Sequence, residues 1–295
     1  RRQRRRRRAY IRSMYFLPSL ATLGNLICGF GAIYIATLIP WPAGSADREL
    51  QDPWAVFFAD HRFATACYLI LIAMLFDAVD GQLARFTRHT TDFGGQLDSL
   101  ADVVSFGVAP AIIMLHVFKL DAASLPLLVS RAVWAIAALY VACAAMRLAR
   151  FNVANDAGDE DHQSFQGMPS PGAAATVVAF VLMQQTLRGY SIDSESSLIH
   201  GLSYTATALL PAVVLGAGLA MISNVRYPRF ASKFIRHTRS LTGMLLALGV
   251  ILGLVIAPTY TLAAGTMAYA LSGPIAWIWH WWKLPRAAGQ AQRDR

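Results

Sequence analysis

The sequence predicts an all-α polytopic membrane protein with about eight transmembrane helices. Hydrophobic residues make up 56% of the 295-residue chain and charged residues only 15%, whereas soluble domains contain about 25% charged residues. The mean hydropathy is +0.43. The apolar residues are grouped in blocks of about 18–22, the helix length that crosses a hydrocarbon core of roughly 30 Å. This composition excludes a soluble globular enzyme, a disordered protein and a small disulfide-stabilised domain.

Eight apolar blocks are the predicted spans. They lie at about Leu17–Ile39, Phe63–Ala78, Leu97–Phe118, Ala132–Leu148, Ala173–Leu187, Ala206–Ile222, Leu241–Ala257 and Thr261–Trp282. The last two blocks are joined by little more than Pro258, which indicates a tight helical hairpin. We therefore divide the chain into a basic juxtamembrane arm (1–16), a core of six spans (17–240), a C-terminal hairpin of two spans (241–282) and a tail (283–295).

The basic residues predict the orientation of these spans. The formal net charge is +9, and 21 of the 26 Lys and Arg residues lie at the termini or in connections on one side of the predicted spans. The remaining five, on the other side, are Arg48, Arg62, Lys119, Arg131 and Arg188. Because basic residues are enriched in cytoplasmic segments, we expect a multi-pass protein of the cell membrane with both termini in the cytoplasm.

The arginine-rich arm and the cysteines indicate no other class of site. A run of arginines is also typical of a nucleic-acid patch. Directly before a span, however, it is better explained by contact with anionic lipid headgroups, so we expect membrane lipids and no nucleic acid as its partner. Cys28, Cys67 and Cys143 lie singly inside apolar blocks, and this spacing predicts neither a zinc site nor a disulfide framework.

Four aspartates lie where an ionisable side chain is costly. Asp77 and Asp80 close the second predicted span, and Asp98 and Asp102 open the third. Residues three or four apart share one helix face, so two antiparallel helices can aim all four carboxylates at one point on the cytoplasmic side. Ionisable residues within a span indicate function, although each aspartate alone is also compatible with a helix cap at the interface.

Four neighbouring carboxylates predict a divalent-metal site. Their mutual repulsion requires either protonation or bound cations. An all-oxygen donor set suits Mg²⁺ or Mn²⁺, and a pair of such ions is the usual arrangement for displacement at phosphorus. Small residues beside the aspartates leave room for a ligand next to the helices; they are Gly81, Ala84, Gly94 and Gly95.

Residues 77–102 read DAVDGQLARFTRHTTDFGGQLDSLAD. This segment resembles the signature of the CDP-alcohol phosphatidyltransferase family, D-x2-D-G-x2-A-R-x8-G-x3-D-x3-D, and matches it at every fixed position. Other segments are similar to the phosphatidylserine synthase branch of that family. They are LPSLATLGNLICGF (17–30), SFGVAP (105–110), RLARFNV (147–153), FQGMPSPGAAA (165–175) and MISNVRYPRF (221–230).

The resemblance implies a six-helix core around a polar cavity that opens to the cytoplasm, in a homodimer. It also implies an enzyme that transfers a substituted phosphate from a CDP-linked lipid or alcohol with the help of two divalent cations, Mg²⁺ or Mn²⁺. For the branch that this chain resembles, the substrates are CDP-diacylglycerol and L-serine, and the products are phosphatidylserine and CMP.

The resemblance further implies roles for the matched residues. Asp77, Asp80 and Asp98 are expected to be the main metal ligands. Asp102 is expected to lie near the second ion and to act as general base for the serine hydroxyl. The residues expected to contact the CDP moiety are Gly81, Ala84, Arg85 and Gly94.

Other polar residues have two explanations each. Arg147, Arg150 and Asn152 at the end of the fourth span are candidates for binding the serine carboxylate, because arginine offers a bidentate fork. They are also explained as ordinary positive flanks of a span. Arg226 is a second candidate for a phosphate or the same carboxylate. Thr22 and Asn25 share a face of the first span, where they either line the nucleotide cavity or hydrogen-bond a neighbouring helix.

Two alternative functions remain open from the sequence. A sister enzyme with glycerol 3-phosphate or inositol phosphate as acceptor would have the same signature, although a phosphorylated acceptor should need a denser basic pocket. A cation transporter would use the same aspartates and would conduct cations without releasing CMP. The transporter hypothesis does not explain the fixed Gly, Ala and Arg positions of the signature.

Overall fold

The structure is a computed structural model that describes residues 2–40, 42, 44–87, 92–121, 126–156, 167–193, 196–225, 227 and 241–291. Its helices are α1 (Arg2–Thr37), α2 (Ala46–Glu49), α3 (Pro53–Asp60), α4 (Arg62–Thr87), α5 (Asp92–Asp102), α6 (Ala109–Asp121), α7 (Leu127–Asp156), α8 (Ser170–Asp193), α9 (Ser197–Ile222), α10 (Leu241–Ile256) and α11 (Pro258–Ala291). A π-helical turn, Val103–Val108, joins α5 to α6. The described residues form helices and no strand, which confirms the predicted all-α class.

Five described segments are long and apolar enough to cross a bilayer, which confirms a polytopic membrane protein. They are Leu20–Thr37, Arg62–Leu83, Phe93–Lys119, Leu127–Val153 and Ser197–Ile222. Helices α8, α10 and α11 fall on the other three predicted spans. The total of eight spans stays a prediction.

Helix α8 is not among these five apolar segments, and its position in the bundle explains why. It lies inside the bundle, where it packs against α4, α9 and α11. Its buried side chains include the polar Thr176 and Gln184, and Gln184 Nε2 donates to Thr207 Oγ1 of α9 at 2.9 Å. A helix surrounded by other helices can bury polar groups that hydrogen-bond across the interface, so it need not be uniformly apolar.

The first two predicted spans are separated by more structure than the sequence indicated. Helix α1 begins at Arg2, so the basic arm and the first span form one continuous helix. Two short helices, α2 and α3, then precede α4. Helix α3 starts with Pro53 in its first turn, and Asp52 caps it by accepting a hydrogen bond from the Trp54 amide at 2.9 Å. Both features are typical of helix N-termini.

The π-helical turn is held between α1 and α7. Ser105 Oγ donates to the Asn25 carbonyl at 3.0 Å, and Tyr140 Oη donates to the Phe106 carbonyl at 3.0 Å. Gly29 allows this close approach of α1, because a Cβ at that position would lie 2.8 Å from the Ser105 Cα. These contacts set the position of Asp102, which immediately precedes the turn.

The connection before α8 depends on a glycine. Gly167 has φ +86°, and its amide donates to the Val225 carbonyl at 2.9 Å, beyond the C-terminal end of α9. A Cβ there would collide with the Met221 carbonyl and lie 3.0 Å from the Ser223 carbonyl oxygen. Both neighbours are backbone atoms, so the clash cannot be relieved by rotating a side chain.

We therefore expect Gly167→Ala to destabilise the fold by about 1–3 kcal/mol, since it combines left-handed backbone strain with this clash. Thermal unfolding in detergent should show a melting temperature lowered by several degrees. Gly216→Ala is the matched control, because Gly216 is helical and a Cβ there would meet no atom of the described residues within 4 Å. An unchanged melting temperature for Gly167→Ala would contradict the prediction.

Candidate active site

Three of the four predicted aspartates meet in the structure. One carboxylate oxygen each from Asp77, Asp98 and Asp102 lies within 4.8 Å of the other two. Asp77 belongs to α4, whereas Asp98 and Asp102 lie one helical turn apart on α5. At an effective dielectric of about 20, two unit charges at this distance repel by roughly 3.5 kcal/mol. The group is therefore unfavourable as three bare anions.

Helix α1 supplies hydrogen bonds to the aspartates of both neighbouring helices. Thr22 Oγ1 donates to Asp80 Oδ2, and Asn25 Nδ2 donates to Asp102 Oδ1 at 3.1 Å. All four residues are buried, and Asn25 has no exposed surface. Asp80 is thus positioned by α1, one turn of α4 away from Asp77. The polar pair predicted on the first span makes contacts to the aspartates, whereas a contact to CDP stays a prediction.

The donor set fits a hard divalent cation. Within the described residues, buried Asp98 Oδ1 and Asn25 Oδ1 have no hydrogen-bond partner. Buried polar atoms are almost always satisfied, so oxygens left without a donor beside a carboxylate group indicate a missing positive charge or donor. Mg²⁺ and Mn²⁺ take oxygen ligands of this kind. The group can therefore hold a metal ion, with Asp77, Asp98 and Asp102 as its candidate ligands.

Arg147 lies next to the cluster formed by the Asp77, Asp98 and Asp102 carboxylates. It is close enough to Asp102 for the opposite charges to attract. Its guanidinium donates through Nη1 to Ser170 Oγ at 3.3 Å. The Nε atom is buried and has no hydrogen-bond partner in the described part of the chain. An arginine with an unused donor at a carboxylate cluster is suited to bind an anionic group of a ligand.

The remaining predicted residues are placed differently. Asn152 pairs with Ser99 of α5, with Nδ2 3.0 Å from Ser99 Oγ. Arg150 is exposed. A Cβ at Gly81 would meet no described protein atom within 4 Å, so this position is open to a ligand. Gly94 is half-buried near the start of α5. The side chains of Ala84 and Arg85, and all of Arg226, lie outside the described residues.

Comparison with known proteins shows the family of the chain. Residues 15–216 match the CDP-alcohol phosphatidyltransferase family, and this region includes the aspartates, the α1 contacts and Arg147. The chain belongs to the CDP-alcohol phosphatidyltransferase family. The predicted resemblance is thereby confirmed, and the protein is an enzyme of a phosphotransferase family.

Several curated members of the family are similar over most of the chain. It is 32% identical to the CDP-diacylglycerol–serine O-phosphatidyltransferase of Helicobacter pylori over 269 residues, which cover 91% of this chain and 93% of the relative. It is 32% identical to the protein of the same name from Methanocaldococcus jannaschii, over 71% of this chain and 83% of the relative. It is 33% identical to the archaetidylserine synthase of Methanothermobacter thermautotrophicus, over 74% of this chain and 72% of the relative.

Three residues beside the candidate site residues were not predicted. Ser99 and Ser170 bond to Asn152 and Arg147, as described above. Tyr269 of α11 interacts electrostatically with Arg147, and a Cβ at Gly172 would lie 3.0 Å from its ring. Helix α11 lies outside the signature and outside the family match. The signal available for Ser99 and Ser170 was their position inside segments that resemble the family, whereas the sequence contained none for Tyr269.

Proposed function

We propose that this protein transfers the phosphatidyl group of CDP-diacylglycerol to the hydroxyl of L-serine, giving phosphatidylserine and CMP. The observation that carries the proposal is the cluster of three carboxylates, those of Asp77, Asp98 and Asp102, with Arg147 beside it. Such a site can accommodate both a metal-bound diphosphate and the carboxylate of an amino acid. The similar proteins from Helicobacter pylori and Methanocaldococcus jannaschii are named for this reaction.

The choice of serine as acceptor rests on two points. The similar proteins are named a CDP-diacylglycerol–serine O-phosphatidyltransferase and an archaetidylserine synthase, so their names differ in the lipid but share serine. Arg147 also has a buried Nε donor without a hydrogen-bond partner in the described part of the chain. A guanidinium of this kind is suited to bind the serine carboxylate. A sister enzyme that uses glycerol 3-phosphate or inositol phosphate is therefore less well supported.

The bond changes of the proposed reaction place one proton on the protein. The serine hydroxyl oxygen forms a bond to the phosphorus that bears diacylglycerol, and the bond from that phosphorus to the CMP oxygen breaks, with its electron pair leaving on CMP. Asp102 is our candidate acceptor of the hydroxyl proton. Asn25 Nδ2 donates a hydrogen bond to Asp102 Oδ1 at 3.1 Å, which orients the Asp102 carboxylate. Because a carboxylate is a weak base for an alcohol, positioning contributes most of the rate.

Other residues orient the two substrates in this proposal. Asp77, Asp80, Asp98 and Asp102 would hold Mg²⁺ or Mn²⁺, which when bound neutralises the diphosphate and the charge that develops on CMP. Thr22 keeps Asp80 in place. Arg147 binds the serine carboxylate, with Ser170 fixing its guanidinium. Arg150, Arg226 and Asn152 are further candidates at the acceptor or phosphate positions. Gly81, Ala84, Arg85 and Gly94, with Thr22 and Asn25, are candidates for contact with CDP.

The proposed function also includes an orientation of the protein in the membrane. We propose that the protein lies in the cell membrane with both termini and the aspartates facing the cytoplasm, where the basic residues are concentrated. Residues 17–240 would form the catalytic core, 241–282 a hairpin beside it, 1–16 a lipid-binding arm and 283–295 a tail. We further propose a homodimer that contacts membrane lipids.

CMP release by purified protein tests the acceptor. The protein in detergent is given CDP-diacylglycerol and Mn²⁺ or Mg²⁺, and L-serine, glycerol 3-phosphate and inositol phosphate are compared in parallel. We expect release with serine at least tenfold above release with the other acceptors. Release with another acceptor alone would overturn the substrate but keep the family. Cation flux in vesicles without CMP release would favour the transporter alternative.

A further inference from the structure

Helix α11 reaches the proposed active site, although it lies outside the residues that match the family. It packs against α8, the helix that begins with Ser170, whose hydroxyl accepts a hydrogen bond from Arg147. A hydrogen bond also joins the two helices, because Thr176 Oγ1 of α8 donates to the Thr266 carbonyl of α11 at 3.4 Å. The first turns of α8 therefore contact both Arg147 and α11.

Tyr269 is the side chain of α11 that approaches the start of α8. A Cβ at Gly172, two residues after Ser170, would lie 3.0 Å from Cε1 of the Tyr269 ring. The glycine therefore lets the ring lie close against the α8 backbone. Tyr269 is half-buried, and it is close enough to Arg147 to interact with it electrostatically. Ser170 and Tyr269 thus approach the same arginine from two different helices.

Tyr227, which follows α9, fixes the position of Tyr269. The two rings lie 5.5 Å apart between centroids, with 57° between their planes. Tyr227 is buried, and its Oη donates to the carbonyl of Ala270, the neighbour of Tyr269 in α11, at 3.2 Å. A Cβ at Gly273 would collide with the Tyr227 ring, so this glycine lets the ring lie against α11. Tyr269 is therefore held both by α8 and by Tyr227.

Arg147 needs fixed neighbours if it is to bind a carboxylate. An arginine side chain has many rotamers, and its planar fork matches a carboxylate only when the guanidinium is held in one orientation. The hydrogen bond from Nη1 to Ser170 Oγ, at 3.3 Å, fixes one corner but leaves rotation about that bond. Asp102 also attracts the guanidinium, but in the proposed reaction this carboxylate serves the metal and the serine hydroxyl. A further polar neighbour is therefore needed to fix the plane of the guanidinium.

We propose that Tyr269 is a positioning residue, which holds the Arg147 guanidinium in the orientation that binds the carboxylate of an amino-acid acceptor. A phenol oxygen can accept a hydrogen bond from a guanidinium N–H, so the hydroxyl group is the part of Tyr269 on which the proposal depends. Tyr269 does not touch serine and acts through Arg147. The inference rests on the proposed function, and it gives the C-terminal hairpin a part in acceptor binding.

Tyr269→Phe in the full chain tests this role, because it removes the hydroxyl and keeps the ring against α8. CMP release in detergent is measured with L-serine and CDP-diacylglycerol varied in turn. We expect the KM for L-serine to rise about tenfold, the effect of one lost hydrogen bond to a charged group, while kcat and the KM for CDP-diacylglycerol change by less than about threefold. Tyr260→Phe is the matched control, since it makes the same change at an exposed tyrosine near the start of α11, and it should leave the KM for serine unchanged.

A double variant separates positioning from packing. If Tyr269 acts through Arg147, adding Tyr269→Phe to Arg147→Gln should change the KM for serine by less than about twofold, because the effects of coupled residues do not add. A further increase as large as that of Tyr269→Phe alone, an unchanged KM in folded Tyr269→Phe, or loss of folded protein in that variant would overturn the proposal. Absence of serine-dependent CMP release by the wild type would instead contradict the proposed function, and this inference with it.

Discussion

Replacing Asp98 with Asn is expected to lower serine-dependent CMP release by about a thousandfold. The substitution preserves the size of the side chain but removes one of three charges whose oxygens lie within 4.8 Å of one another. Asp98 Oδ1 is also buried without a hydrogen-bond partner in the described structure, so it is available as a ligand. Loss of one electrostatic contact in an enclosed site commonly costs a factor of 10² to 10³ or more. Initial rates of CMP release at saturating substrates measure the effect.

Asp47→Asn is the matched control for this prediction. Asp47 is exposed in α2, far along the chain from the carboxylate group, and the same chemical change there should leave the rate within about twofold of the wild type. Both variants should elute as monodisperse protein in detergent. A rate above one tenth of the wild type for folded Asp98→Asn would contradict a role for this carboxylate in holding the metal.

The second large effect is expected at the acceptor. Arg147→Gln should raise the KM for L-serine about 100-fold, since a charge-assisted pair contributes roughly 1.5–3 kcal/mol. The KM for CDP-diacylglycerol should change by less than about threefold, because the proposed contact is to serine. Steady-state kinetics with each substrate varied in turn separate the two constants. The buried, unpartnered Nε of Arg147 is the observation that motivates the prediction.

Two further variants distinguish binding from packing. Arg147→Lys keeps the positive charge without the planar fork, so it should recover only part of the affinity for serine. Arg131→Gln changes an exposed arginine at the other end of the same helix and should leave both KM values unchanged. Equal increases in both KM values for Arg147→Gln, or a loss of folded protein, would indicate a structural role instead.

The parts of the site that the sequence could predict depend on short-range spacing. Asp98 and Asp102 are four residues apart, so a single helix places them on one face whatever surrounds it. The helical fold likewise follows from block length and hydropathy, which are local properties. The grouping of Asp77 with this pair was predicted on the assumption that the two spans are antiparallel neighbours, and the structure confirms that they meet.

The remaining features depend on tertiary contacts that no local pattern contains. The hydrogen bonds of Thr22 and Asn25 to the aspartates join residues 58 and 77 positions apart in the chain, so their polarity alone left two explanations open. The π-helical turn after Asp102 arises where Gly29 allows α1 to approach Ser105 closely. Tyr269 is near enough to Arg147 for an electrostatic interaction because α11 packs against α8, and no motif marked α11.

The most direct test of the central claim is to follow isotope-labelled L-serine into lipid. Purified protein with CDP-diacylglycerol and Mn²⁺ or Mg²⁺ is incubated with the labelled amino acid, and lipid and nucleotide products are quantified together. The proposed reaction predicts labelled phosphatidylserine and CMP in a one-to-one ratio, with the rate of formation of both lowered about a thousandfold in Asp98→Asn. Phosphatidic acid formed with CMP in the absence of serine, or CMP without label in the lipid, would contradict it.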